Sequence, residues 1–575
     1  MIKIATGTDD FRKLREGNKY YIDKTLMIKE FIDYDDEVAL ITRPRRFGKT
    51  LNMTMLREFF DQFKQSAVVF DGLAIMDTEY ADQINTRPVI YLTFKNCSGS
   101  NIVALKKRLA KAMWDEYNRY LKLLENFADP EDGDYYIFYQ VYKMFKEVFR
   151  FDEVDEKNNG AEVEDKIDDE LLKSSLKELI RVASVFYGKR VLLLIDEYDQ
   201  PLIEAHEGGF RENFSKDIYA DFLGDALKSN DFLGQALLTG IQRVAKESIF
   251  SKLNNFTVYP VTDEIYAPYF GLTEAETKVA LEAVGLALTD EVKSYYDGYV
   301  MGGVCVYNPW SILKYMRKKK LEPFWVKTST NRLIKETIPT ADADFKEAFE
   351  QLILDGEVEV SVNLEASFLE LATTRTLWGL LINSGYLTVI KEYRSSFKRI
   401  IIPNEEVKEE FREIVATYTR LNADRLDEMF NALFDGRMDH FLKVYQKLVY
   451  DYLSVHDIKK QTGQALPEAS YHNFFLGMAI STEGMYESTS NLEAGDGRGD
   501  ITMISLQPNL RPHIIIEFKR GEDVEKLRQE ALDQIFEKKY YIKLSGRVLC
   551  VGIAHNKKKC EIVSKEISAD EFGEI

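Results

Sequence analysis

Two groups of side chains in this sequence have the types and spacing for phosphate chemistry. The first is the run RPRRFGKT, Arg43–Thr50, together with DEYD at Asp196–Asp199. In a loop of this kind Gly48 lets the backbone approach a phosphate closely. Lys49 can reach the β- and γ-phosphates of a nucleotide, and the Thr50 hydroxyl can ligate Mg2+. Asp196 could hold the same cation through water, and Glu197 could orient or activate the attacking water. The second group is GDGRGDITM, Gly495–Met503, followed by HIIIEFKR, His513–Arg520. Asp500 and Glu517 would repel one another and gain most with a divalent cation between them. Lys519 could then position or activate water, or stabilise charge on the phosphate under attack.

These residues need particular elements to place them. Val38–Thr42 reads as a buried strand that runs into Arg43–Thr50 and then straight into a helix at Leu51–Phe60. That order puts free helix-terminal amides beside the loop, as phosphate binding requires. The stretch Arg46, Phe47, Gly48, Lys49 and Thr50 is the expected nucleotide-binding segment. The usual first glycine of such a loop is replaced by Arg43, which Pro44 biases toward an extended backbone. Leu192–Ile195 forms a further apolar strand that ends in Asp196 and Glu197, where parallel sheets keep their functional groups. Another strand, Gln235–Thr239, puts Thr239 at its tip, placed like a polar sensor of the γ-phosphate. Arg243 follows as either a charge-stabilising arginine or one half of a salt bridge.

In the second group the two-residue period of a strand carries the argument. Ile515, Glu517 and Lys519 face one way, and Ile514, Ile516 and Phe518 the other. A hairpin over Asp500–Lys519 can bring Asp500 beside Glu517. An upstream helix over Pro467–Met478 puts Glu468, Tyr471, His472 and Phe475 on one face. Glu468 could complete a metal shell, while His472 could contact phosphate or simply pack. Gln534, on the inward face of a helix at Val524–Tyr540, could touch metal-bound water or the lysine, or be structural.

Several of these segments resemble known families. YYIDKT (Tyr20–Thr25), RPRRFGKT, LLIDEYD, LTGIQRVAKESIFSKLNN and YDGY…YNPW resemble the AAA-ATPase-like family of bacterial and archaeal proteins over roughly residues 1–320. The resemblance implies an ATP-binding fold related to the STAND-like P-loop proteins, and makes the arginine-rich loop a family trait. YHNFFLGM, EAGDGRGDI, IIIEFK and ALDQIFEKKYY, within residues 460–556, resemble the PD-(D/E)XK nuclease superfamily. That likeness implies Asp500, Glu517 and Lys519 as the catalytic set, with Glu468 in support. This chain departs from the pattern at Gly499, where a bulkier residue is usual.

The expected fold is α/β: a P-loop NTPase parallel sheet over 1–270, a mostly helical lid or connector over 271–455, and a PD-(D/E)XK-like α/β domain over 456–575. The 575 residues are 45% hydrophobic, which suits several globular cores and not wholesale disorder. A net charge of −19 argues against general coating of nucleic acid but leaves room for a local basic groove. Asp152–Glu170, acidic and poor in large apolar residues, reads as a solvated loop. The scattered cysteines Cys97, Cys305, Cys550 and Cys560 suit a reduced compartment. The beginning of the chain lacks an apolar signal core and no run is long enough to span a bilayer, so a cytoplasmic protein with no membrane partner is expected. The reading is an ATP-binding enzyme, an ATPase and an ATP-dependent or ATP-gated Mg2+-dependent nuclease, with Mn2+ an alternative at the nuclease site and nucleic acid, DNA favoured, as partner. Homo-oligomerisation and ATP turnover stay open. The competing readings are a non-cleaving ATP-binding switch whose nuclease-like domain only binds nucleic acid or protein, and an ATPase acting on another protein.

Overall fold

The apolar runs of the first half form strands β1 (Val38–Thr42), β2 (Val89–Thr93), β3 (Val191–Asp196), β4 (Leu233–Gly240) and β5 (Phe256–Tyr259). All of them pair in parallel, in the order β2-β3-β4-β1-β5. Every residue of β1 and β3 is buried, so both faces of the sheet are covered, which explains why these strands read as continuous apolar runs instead of alternating ones. The fold is mixed α/β, with the helices Lys49–Phe60, Ile102–Leu121 and Asp169–Tyr187 packed on this sheet. A computed structural model describes residues 2–121, 135–150, 166–243, 256–325, 356–365, 373–393, 396–408, 423–457, 468–479, 484–494, 497–556 and 559–571, with scattered positions between 341 and 352 and at 411 and 482.

The strand order positions the first site. Strand β4 lies between β1 and β3, with Ile41 beside Thr239 and Ile195 beside Leu238. The end of β1, Thr239 and Asp196 therefore meet at the carboxyl edge of the sheet, where chain connections leave in opposite directions and ligand crevices open. Most of Asp152–Glu170 lies outside the described residues; the helix Asp169–Tyr187 begins at its end, capped by Asp168, which accepts from the Leu171 amide.

Packing divides the chain into two compact units: Met1–Thr330 with Glu359–Val407, and Asn331–Val358 with Lys408–Ile575. The stretch 271–455 is shared between them and holds strands as well as helices. These are β6 (Leu272–Thr273), β7 (Tyr299–Met301), β8 (Val304–Tyr307), β9 (Glu357–Ser361), β10 (Thr388–Glu392) and β11 (Phe397–Ile401), in three-stranded sheets ordered β6-β8-β7 and β10-β11-β9. Strands this short carry too little alternation to stand out against flanking helices.

The second unit contains β12 (Tyr486–Ala494), β13 (Gly497–Ser505), β14 (His513–Arg520), β15 (Arg547–Asn556) and β16 (Lys559–Ser568), neighbours in chain order. Only β14 and β15 run parallel, joined through the helix Val524–Glu537. Ile514, Ile516 and Phe518 enter one core with Phe430, Phe441 and Phe475, whereas Ile515 enters another with Leu532, Ile535 and Tyr540. The joining helix rests directly on β15 at Gly552, where a Cβ would come within 2.3 Å of the Arg528 carbonyl oxygen and 2.7 Å of the Leu532 nitrogen. Gly552→Ala must therefore push the helix off the strand. It is expected to lower stability by about 1–3 kcal/mol, read as a reduced midpoint in calorimetric unfolding. Among the described residues no helix is long and apolar enough to cross a membrane.

Candidate functional site

At the edge of the parallel sheet the polar side chains converge on Asp196. The Thr50 hydroxyl donates to its Oδ2 at 2.7 Å, and the Thr239 hydroxyl donates to its Oδ1 at 2.8 Å. Asp196 is fully buried; burial raises its pKa, the neighbouring Glu197 adds to the rise, and the two threonine hydrogen bonds oppose it. A hydroxyl and a carboxylate held together at a helix N-terminus form a donor set suited to a hard cation such as Mg2+. Glu197 is half-buried with a left-handed backbone, φ 55°, an uncommon conformation for a residue other than glycine, asparagine or aspartate.

Lys49 is buried in the same place and its ammonium donates to the carbonyls of Arg43 at 3.0 Å and Pro44 at 2.9 Å. Burial lowers its pKa, countered by the charges of Glu197, Asp196 and Asp199. Gly48 takes φ 91°, a left-handed turn that opens helix Lys49–Phe60 and that a side chain would strain. The preceding Arg46 is also left-handed at φ 69°, with its guanidinium 4.5 Å from the Trp310 ring centre. Phe47 is buried edge-on against Tyr299, 4.9 Å between ring centres, so it can offer a ligand only its backbone.

Arg43 points away from the phosphate position. Its Nη1 donates to the carbonyls of Thr42, Tyr259 and Pro260 at 2.8 Å each, and its Nη2 to Ile265 at 3.3 Å. Burial pushes its pKa down to about 9, with Asp263 opposing. The residue standing where such loops usually carry glycine is thus a cramp between the ends of β1 and β5. Arg43→Gly, although it restores the commoner loop, leaves those carbonyls without a donor. A loss of about 2–4 kcal/mol is expected, measured as the shift in denaturant midpoint, with no gain in nucleotide affinity.

One buried acid in this region escaped the sequence reading. Asp199 accepts the amides of Ile241 at 2.9 Å and Gln242 at 3.2 Å, and Tyr198 donates its hydroxyl to the Gln242 carbonyl at 2.8 Å. These bonds staple the turn after β3 to the turn after β4, fixing the spacing between Asp196 and Thr239. The only sequence signal was the second aspartate of DEYD. Arg243, just beyond, pairs with Glu365.

In the second unit the antiparallel register pairs Ile501 with Ile516 and Thr502 with Ile515. One step further along, Asp500 stands opposite Glu517. The Asp500 amide donates to Glu517 Oε2 at 3.2 Å, and the Phe518 amide donates to Asp500 Oδ2 at 2.8 Å. Lys519 Nζ lies 3.7 Å from Glu517 Oε1, which also accepts from the Gln534 side-chain amide. Gln534 in turn reaches the Tyr540 hydroxyl at 3.2 Å. His472 meets the backbone carbonyl of Asp500 at 2.9 Å, so it steadies the strand that carries the acid. Glu517 is only 3% exposed and Asp500 half-buried. Two carboxylates facing a single ammonium leave one net negative charge in a low dielectric, which fits a divalent cation. Glu468 begins the helix Glu468–Ala479, but its side chain lies outside the described residues. Among the described residues no set of three His, Cys, Asp or Glu side chains gathers into a metal cluster, so two carboxylates are the described protein donors. Gly499, the departure noted in the sequence, is paired with Leu492 inside β13, which begins at Gly497 and not at Asp500.

Residues 5–250 match the model of the AAA-ATPase-like family, described as a predicted AAA-ATPase, and residues 466–565 match the PD-(D/E)XK nuclease superfamily. The chain joins an AAA-ATPase-like domain to a PD-(D/E)XK nuclease superfamily domain. It is also 26% identical over 568 residues, 95% of this chain and 94% of the relative, to an uncharacterized protein from the vnfD 5′ region of Azotobacter chroococcum mcd 1. Lys49, Thr50, Asp196 and Thr239 fall inside the matched AAA-ATPase-like segment, and Asp500, Glu517, Lys519 and Gln534 inside the nuclease segment. The two domains support ATP binding and a nuclease-like site on one chain.

Proposed function

We propose that the protein is a hydrolase, an ATP-dependent or ATP-gated nuclease that uses a divalent cation to cleave phosphodiester bonds of nucleic acid, with DNA the favoured substrate. The observation that carries the reading is the set Asp500, Glu517 and Lys519, drawn together from two strands with the lysine 3.7 Å from the glutamate. A buried glutamate beside a second carboxylate on a central sheet is costly unless it serves a ligand. Mg2+ or Mn2+ held by Asp500 and Glu517 would draw charge from the phosphate and acidify water. Lys519, on the same face of β14, would position that water or steady the charge that develops on the phosphate oxygens. Gln534 fixes the Glu517 carboxylate, and the Phe518 amide fixes that of Asp500. In the AAA-ATPase-like domain, Lys49 would hold the β- and γ-phosphates, Thr50 and Asp196 the Mg2+, and Glu197 the attacking water, with Thr239 reporting on the γ-phosphate. The test is incubation of the full chain with single- and double-stranded DNA and RNA, with ATP and Mg2+ or Mn2+. Metal-dependent fragments support the reading; a chain that binds ATP and cuts none of them acts as a non-cleaving switch instead.

A further inference from the structure

Downstream aromatic residues hold the phosphate-binding loop. Trp325, 1% exposed, donates from Nε1 to the Arg45 carbonyl at 3.0 Å. Its ring packs 5.5 Å from Tyr386 and 6.4 Å from Tyr299, and Tyr299 meets Phe47. Arg46 lies on Trp310. Arg45, Arg46 and Phe47 thus each have an aromatic partner outside the sheet. The strap behind them closes on one buried acid. Glu406 accepts the backbone amide of Trp325, and also the Ser311 hydroxyl at 2.8 and 3.0 Å, one residue beyond Trp310.

The loop's internal bonds are ones that a nucleotide must disturb. Lys49 donates to the carbonyls of Arg43 and Pro44, and Thr50 to Asp196. Phosphate competes for the Lys49 donor and a cation for the Asp196 oxygens, and the two carbonyls that Lys49 releases must then turn or find other partners. The carbonyl next in line, that of Arg45, is the one Trp325 grips. The strap also ends at telling places in the chain. Trp325 stands shortly before Thr330, where the chain first leaves the first unit, and Glu406 immediately precedes Val407, after which Lys408 opens the unit that carries the nuclease residues.

We propose that Trp325 and Glu406 are positioning residues that tie nucleotide occupancy of the loop to the segments leading into the nuclease-bearing unit. The inference rests on the ATP-binding reading. Its test uses the full chain and two readouts: Mg-ATP affinity by calorimetry, and hydrogen–deuterium exchange of the peptide 397–407 with and without Mg-ATP. In the wild type, Mg-ATP should change exchange in that peptide. Trp325→Phe keeps the ring but removes the Nε1 donor. It should weaken Mg-ATP binding about three- to tenfold, the worth of one neutral hydrogen bond, and abolish the exchange response. Ser311→Ala, milder still, should reduce that response without unfolding the chain. Purely structural roles would lower stability and leave the nucleotide-dependent difference intact. If the wild type binds Mg-ATP but shows no change at 397–407, or if Trp325→Phe responds like the wild type, the proposal is overturned. A wild type that binds no Mg-ATP overturns the nucleotide reading itself, and this proposal falls with it.

Discussion

Lys49→Ala is expected to reduce Mg-ATP affinity by roughly a hundredfold or more, equivalent to about 3 kcal/mol. The size follows from the setting. Lys49 is buried at the mouth of a helix, so its ammonium acts through a low dielectric and has little solvent to screen it. In the structure its donors go to the Arg43 and Pro44 carbonyls, groups that phosphate oxygens can replace with a stronger, charge-assisted partner. Without it, Asp196, Glu197 and Asp199 face an incoming polyphosphate with no opposing charge from this position. The measurement is isothermal calorimetry with Mg-ATP, alongside Lys49→Arg, which keeps the charge but not the compact ammonium. Tight binding by the alanine variant would remove the phosphate-loop assignment, because no other described side chain holds that position. The contrast with Arg43 sharpens the point. Both are basic residues of one loop that donate to backbone carbonyls, yet Lys49 bonds within the loop while Arg43 reaches out of it to Tyr259, Pro260 and Ile265, so replacing Arg43 should act on stability first.

The sheet that positions Lys49 was legible because its strands are buried on both faces and read as apolar runs. The expected strand Val38–Thr42 matches β1 to the residue, and those at Leu192–Ile195 and Gln235–Thr239 match β3 and β4 to within one or two residues at their ends. The pairing of Glu517 and Lys519 on one face of β14 follows from the two-residue period alone, and the register brings Asp500 opposite as a hairpin predicts. What lay hidden was long-range. Nothing local tells that Arg43 will reach the carbonyls of Tyr259 and Pro260, or that Asp199 will hold the amides of Ile241 and Gln242. Nor does anything local in YDGY or YNPW tell that Tyr299 and Trp310 will pack against the phosphate loop itself. Gln534 could equally have faced metal-bound water, the lysine or the core; the helix lying on Gly552 aims it at Glu517.

The nuclease site yields the other large effect. Asp500→Ala and Lys519→Ala should each reduce metal-dependent cleavage by about a thousandfold or more, the usual scale for losing a metal ligand or a charge that stabilises the transition state. Both should bind Mg-ATP as the wild type does, since neither residue belongs to the AAA-ATPase-like domain. The two variants are not equivalent. Asp500→Ala also takes the acceptor from the Phe518 amide, so some loss of stability accompanies the loss of activity; Asp500→Asn, which keeps an acceptor oxygen, separates the two. Lys519 is partly exposed and lies 3.7 Å from the buried Glu517, so its removal leaves two carboxylates uncompensated in the metal-free chain; with Mn2+ between them the unfolding midpoint should fall less than in Asp500→Ala. Lys519→Ala is therefore the cleaner test: a folded chain with normal ATP affinity and no cleavage assigns the lysine to chemistry. The decisive measurement is single-turnover cleavage across a Mn2+ titration. If Asp500→Ala loses only metal affinity, excess Mn2+ should restore part of its rate, whereas Lys519→Ala should stay slow at every concentration. Cleavage by Lys519→Ala at the wild-type rate would mean that Glu517 and Lys519 are no more than an ion pair on a central strand.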